Sequence, residues 1–83
     1  MDFTVYIIYS LSLDRFYIGF TGDDIQVRLR KHNSNHKGFT GRTPDWVLKY
    51  SEIFATKVEA MKREREIKSW KSRIKIQQLF SRG

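Results

Sequence analysis

The chain contains no cysteine, so neither a disulfide framework nor a thiolate zinc site can hold it together. Proline occurs once, at Pro44, and glycine five times; no repeat, low-complexity tract or linker interrupts the sequence. No stretch approaches the ~20 apolar residues that span a bilayer. The start, Met1-Asp2-Phe3-Thr4, lacks the basic residues and apolar run of a secretory signal. These absences lead to the expectation of a cytoplasmic protein with no membrane partner. At 83 residues one domain is expected, and 40% apolar with 14% aromatic residues is enough to fold it without a staple.

What the chain has in excess is positive charge. Sixteen Lys and Arg against nine Asp and Glu leave a net charge of +7. Such a field attracts polyanions and speeds their encounter. Nucleic acid is the first candidate, because each phosphate neutralised by Lys or Arg releases a counterion. Anionic membrane surface and acidic protein partners are the alternatives.

Residues Phe3 to Tyr9 are rich in β-branched and aromatic types and read as a strand. Ser10 to Asp14 is a turn, and Arg15 to Phe20 completes a hairpin. Asp23 or Asp24 can cap a helix running to about Asn33. A loop from Ser34 to Asp45 holds Pro44 and two glycines, and Trp46 to Phe54 reads as a third strand. Thr56, with Glu59 three residues on, forms a capping-box pattern ahead of a long basic helix to about Trp70. A last helix covers Ser72 to Phe80. The order is β-β-α-β-α-α, an α+β fold.

Alternation puts Phe16, Ile18 and Phe20 on one face of the second strand and Arg15, Tyr17 and Gly19 on the other. The apolar set must face a core, so Tyr17 faces outward or into a cleft beside a residue with no side chain. Tyr6 shares a face with Thr4 and Ile8, and could meet Tyr17 across the hairpin, although register is not fixed by sequence. Two surface tyrosines on a half-solvated sheet are the competing reading. On the first helix, Arg28 and His32 are four apart and flank the buried stripe of Ile25 and Leu29, while Arg30 and Lys31 point away. They either share a pocket, or Arg28 snorkels along apolar surface and His32 packs at the rim.

The long helix carries Glu59, Glu64 and Glu66. Glu64 falls within the apolar stripe beside Ala60, Met61 and Ile67, and Glu66 falls on the basic outer face. An inward carboxylate needs a metal or a cation partner, which would be Arg28 or a neighbour. Eight of the sixteen cations, Lys57, Lys62, Arg63, Arg65, Lys68, Lys71, Arg73 and Lys75, crowd this C-terminal part as a candidate phosphate-tracking surface. Candidate nucleic-acid contacts are Arg30, Lys31, Lys37, Arg42, Lys68 and Lys71. No helix-turn-helix, zinc finger or recognition arm is apparent.

Thr4-Val5-Tyr6 and Tyr17-Ile18-Gly19, followed by Arg28 at helical distance and Glu64 in a later helix, resemble the paired motifs of the GIY-YIG nuclease superfamily. The run Glu59 to Lys71 looks like that of its small single-domain bacterial branch, related to the nuclease domain of the excinuclease C subunit and to structure-selective endonucleases. The resemblance extends from Phe3 to about Phe80. It implies a three-stranded antiparallel sheet flanked by helices, in agreement with the order read from periodicity. It also implies an endonuclease acting on DNA of branched or damaged structure.

By that resemblance Glu64 would hold one divalent ion, Mg²⁺ or Mn²⁺, which would polarise the scissile phosphate. Tyr6 and Tyr17 would order and deprotonate the attacking water, or one of them would act as general base. Arg28 would neutralise charge developing on the phosphorane, His32 would relay a proton or contact phosphate, and Asn33 would support the site by hydrogen bonding. Two positions depart from the pattern: Thr4 stands at the first glycine, and Phe20 follows the YIG where the excinuclease branch often has lysine. The alternative is a non-catalytic nucleic-acid-binding module of the same fold.

Overall fold

The computed structural model describes residues 2–34 and 38–81. Strands β1 (Phe3–Ser10) and β2 (Arg15–Thr21) form the hairpin, followed by α1 (Ile25–His32), a 3₁₀ turn (Phe39–Arg42), β3 (Trp46–Phe54), α2 (Lys57–Trp70) and α3 (Arg73–Phe80). The sheet is antiparallel throughout, in the order β2-β1-β3. Among the described residues no helix is long and apolar enough to cross a membrane.

β1 takes the centre because its side chains are apolar on both faces, and Val5, Ile7 and Ile8 are fully buried. Val5 and Ile7 join Ile18, Ala60, Ile67 and Ile76 in a core beneath α2 and α3, walled by Phe16, Phe20 and Phe54. Tyr6 and Ile8 join Trp46 in a second cluster on the other face, against Tyr17, Ile25 and Leu29. The part of the face that carries Tyr6 and Tyr17 is therefore packed against α1, and Tyr6, 1% exposed, is not a surface tyrosine.

The expected caps are made locally. Asp24, not Asp23, caps α1 by accepting from the Gln26 and Val27 amides at 2.8 and 3.3 Å. Thr56 caps α2, but the Glu59 carboxylate accepts from the Thr56 hydroxyl at 2.9 Å, in place of the backbone amide that a capping box would use. Ser72 caps α3 through the Lys75 amide.

β3 holds the main departure from the sequence pattern. Ile8 pairs with Leu48 but Ile7 pairs with Tyr50, so a bulge inserts one extra residue. Trp46 and Leu48 consequently pack on the α1 side, while Tyr50 and Phe54 pack on the opposite side under α2 and α3. Simple alternation would have put all four on one face.

Two cations of the basic C-terminal run, Arg63 and Arg73, are held in ion pairs with carboxylates of other elements. Arg63 spans the Glu52 carboxylate with Nε and Nη2, donates Nη1 to Glu66 at 2.9 Å, and stacks over Trp70. Arg73 makes a two-pronged ion pair with Asp14, tying α3 to the β1–β2 turn, and Tyr9 donates its hydroxyl to the same carboxylate. The turn is held from the other side by Asp45, which accepts from Ser10 and Thr43 hydroxyls and from the Ser12 amide.

Candidate active site

The site begins with a missing side chain. Tyr6 pairs with Gly19 across the hairpin, and the Tyr6 phenol fills the space that a Cβ at Gly19 would need. From there the phenol oxygen reaches α1. Arg28 Nε donates to it at 3.4 Å, and it lies 2.6 Å from His32 Nε2. The helical repeat puts Arg28 and His32 on one face, four residues apart, so a single phenol can bond to both. His32 is 5% exposed, and its Nδ1 lies 2.8 Å from the Thr40 hydroxyl. With Arg28 an obligatory donor, one assignment runs the chain in a single direction: Tyr6 O–H donates to Nε2, and Nδ1–H donates to Thr40.

Tyr17 lies diagonally from Tyr6, their ring centroids 6.5 Å apart, and packs against the His32 and Trp46 rings at 5.0 and 6.4 Å. Trp46 is clamped in turn. Its backbone exchanges two hydrogen bonds with the Asn33 side chain, at 2.7 and 3.0 Å, and its indole N–H donates to the Thr40 carbonyl. A pocket of about 430 Å³ opens here, lined by Tyr17, Arg28, Lys31, His32 and Thr40 among others.

Burial pushes the Tyr6 phenol above its usual range, and the nearby Tyr17 and Glu64 add to that; the Arg28 hydrogen bond and charge oppose it. The same bond raises the Arg28 guanidinium, which stays cationic at any ordinary pH.

The structure thus brings four of the candidate residues into one cluster: Tyr6, Tyr17, Arg28 and His32. Glu64 stands to the side. It is 17% exposed, acts on Tyr6 through its charge, and pairs with Lys68 at 3.5 Å, not with Arg28. Lys31, expected to point away, lines the pocket while resting 3.7 Å from Asp23. Arg30 and Lys71 are exposed, and Lys68 is half exposed. Lys37 and the Arg42 side chain lie outside the described residues. Asn33 bears on the site through Trp46, which its side chain fixes. Thr40 carries no signal in the sequence: it sits in the 3₁₀ turn, and its contacts with His32 and Trp46 mark it.

Among the described residues no group of three or more His, Cys, Asp or Glu could hold a metal. Glu64 offers a single hard carboxylate. That donor chemistry fits Mg²⁺ or Mn²⁺, since Mg²⁺ commonly takes one or two carboxylates and completes its shell with phosphate oxygens and water.

A central antiparallel hairpin that presents two tyrosines to an arginine and a histidine on the following helix defines a recognisable class. The family description "GIY-YIG catalytic domain" matches residues 2–77. A UPF0213 protein of Haloquadratum walsbyi is 41% identical over 81 residues, covering 95% of this chain and 86% of the relative. One of Halobacterium salinarum is 41% identical over 78 residues, covering 92% and 96%. The solution NMR structure of a UPF0213 protein from Bacillus halodurans superposes with a TM-score of 0.59 at 37% identity, covering 98% of this chain and 84% of that one. The chain belongs to the GIY-YIG family, with these UPF0213 proteins among its relatives.

Proposed function

We propose that the chain binds a nucleic-acid phosphodiester, of DNA in the first instance, in the Tyr17–Arg28–His32 pocket and hydrolyses it as a divalent-metal-dependent endonuclease. The observation that carries this is the buried run Arg28–Tyr6–His32–Thr40 beneath a cationic pocket. Arg28 presents a permanent positive charge where negative charge develops on the phosphorane. Tyr17, at the pocket, is placed to orient the attacking water. Tyr6, buried and held protonated, is placed to fix Arg28 and His32 beside the pocket. Thr40 holds the other side of the His32 ring, at Nδ1. Glu64 is the residue for a Mg²⁺ or Mn²⁺ ion, once released from Lys68. Such an ion would supply charge to polarise the phosphate and stabilise the leaving oxygen. Kinship with the nuclease domain of the excinuclease C subunit, and a preference for branched or damaged DNA, belong to the same proposal and rest on the run Glu59 to Lys71.

A second function has its own support: a nucleic-acid-binding module of the same fold that does not cut. The Glu64–Lys68 pair, and the lack among the described residues of three or more metal-ligating groups in one place, favour it at the metal corner. Both functions use the same cationic pocket.

Labelled branched DNA and plain duplex, with Mn²⁺ or Mg²⁺ and with wild type beside Glu64→Ala, separate the two. Metal-dependent cutting that Glu64→Ala abolishes while binding survives establishes the nuclease. Salt-sensitive binding without cutting on both substrates and with both metals establishes the module.

A further inference from the structure

A second basic groove lies at the corner where α2 meets α3, against the β1–β2 turn. Its volume is about 230 Å³, and it is lined by Arg15, Lys68, Lys71 and Arg73, with Asp14 as the one carboxylate and Phe16 as an apolar wall. Arg73 is spoken for: it is paired with Asp14 and stacked over the Phe16 and Tyr9 rings at 5.4 and 5.9 Å. Asp14 is thereby neutralised. Neither Arg15 nor Lys71 makes a salt bridge with another described residue. The groove therefore keeps an excess of positive charge.

The backbone supplies an independent observation. Among the described residues, two that are not glycine have a left-handed backbone, Asp14 at φ 52° and Lys71 at φ 47°. Both line this groove. The left-handed position at the end of a helix is the one where glycine is cheapest. A lysine there stores strain, and strained backbone of this kind gathers at sites where a side chain is needed. Lys68 links the groove to the candidate active site, since its ammonium lines the one and holds Glu64 beside the other.

We infer that this groove is a second phosphate-binding site, taking the sugar-phosphate backbone of nucleic acid that continues from the phosphodiester at Arg28 and His32. The inference rests on the nucleic-acid reading of that pocket. Arg15 and Lys71 supply the contacts, and the Asp14–Arg73 pair fixes the turn that carries Arg15. Phosphate contacts of this kind position a strand without reading its bases.

The test is the anisotropy of fluorescein-labelled duplex DNA in EDTA across a series of KCl concentrations, with wild type, Lys71→Gly, Arg15→Ala and the double variant. Each single substitution is expected to weaken binding and to flatten the slope of log K against log salt by about 0.9. Lys71→Gly is expected to melt at or above the wild-type temperature, because glycine relieves the left-handed strain. Wild-type affinity and slope in both single variants would overturn the groove, as would capture of poly-glutamate with no binding of DNA. Flattened slopes with no cleavage in Mn²⁺ keep the groove and remove the nuclease. Cleavage by wild type with unaltered slopes in the variants does the reverse.

Discussion

A Cβ on Gly19 would lie 2.6 Å from the Tyr6 phenol oxygen and 2.8 Å from its Cζ. Glycine at this register position is what allows Tyr6 to cross the sheet and meet His32, 26 residues away in sequence. The neighbour that would have to give is the ring that holds Arg28 and His32 together. Gly19→Ala is therefore expected to destabilise the fold by about 1–3 kcal/mol through overpacking. Any cleavage should fall about 100-fold, as displaced catalytic groups commonly do. Urea midpoints and cleavage rates measure the two effects, and a variant equal to wild type in both would show that the phenol can move freely.

Tyr6→Phe leaves Arg28 Nε and His32 Nε2 without the oxygen that lies between them. Stranding buried polar groups costs about 1–3 kcal/mol, so this variant should lose stability as well as cleavage. Tyr17→Phe, at the pocket, should lose cleavage. An unfolding midpoint equal to wild type in Tyr6→Phe would contradict the role of its phenol oxygen.

Thr40→Val removes the hydroxyl that meets His32 Nδ1 at 2.8 Å and leaves the branched shape. A stability loss of about 1 kcal/mol is expected from one missing hydrogen bond. The distinguishing readout is His32 itself: its ring ¹⁵N shifts and the pH profile of cleavage should both move, and Thr40→Ser should restore them. Unmoved shifts would reduce Thr40 to a packing residue.

The pH dependence of stability has opposite signs at its two ends. The carboxyl groups of Asp14 and Asp45 are each lowered from 3.8 to about 2, by Arg73 and Tyr9 in the first case and by Ser10 and Ser12 in the second. A depressed carboxylate stabilises the fold above its unfolded pKa, and the gain is lost as pH falls through the folded value. Urea midpoints should therefore hold down to about pH 4 and decline towards pH 2, and Asp45→Asn should flatten that decline. Tyr6 is raised above 10.0, chiefly by burial. Its contribution is present below pH 10 and disappears as pH climbs through the folded value. A midpoint level from pH 5 to pH 2 would contradict the acid limb.

Local features were legible before the fold was known, and tertiary ones were not. Asp24, Thr56 and Ser72 cap helices within three residues of themselves, so sequence was enough to place those boundaries. The apolar face of β2 is legible from its period, whereas Tyr6 meeting Tyr17 and Arg28 sharing a pocket with His32 were each one of two open readings that the fold decided. Arg63 looked like one more surface cation because its partner, Glu52, is on a different element. Glu64 was read correctly as inward, but its partner could not be chosen between Arg28 and a neighbour; the helix supplied Lys68, four residues on. Thr40 carried no sequence signal at all.

The extra residue in β3 divides that strand into two registers with separate duties. Trp46 and Leu48 build the wall behind the tyrosines, and Tyr50 and Phe54 build the core under the C-terminal helices. Deleting Lys49 would only turn the bulge into regular strand, whereas deleting one residue between Tyr50 and Phe54 would act on the fold as a reading-frame shift acts on a message. Every side chain on one side of the deletion would be presented to the wrong layer, although only one amino acid had gone. The phasing of this strand, more than the identity of any one residue in it, keeps the two halves of the molecule distinct.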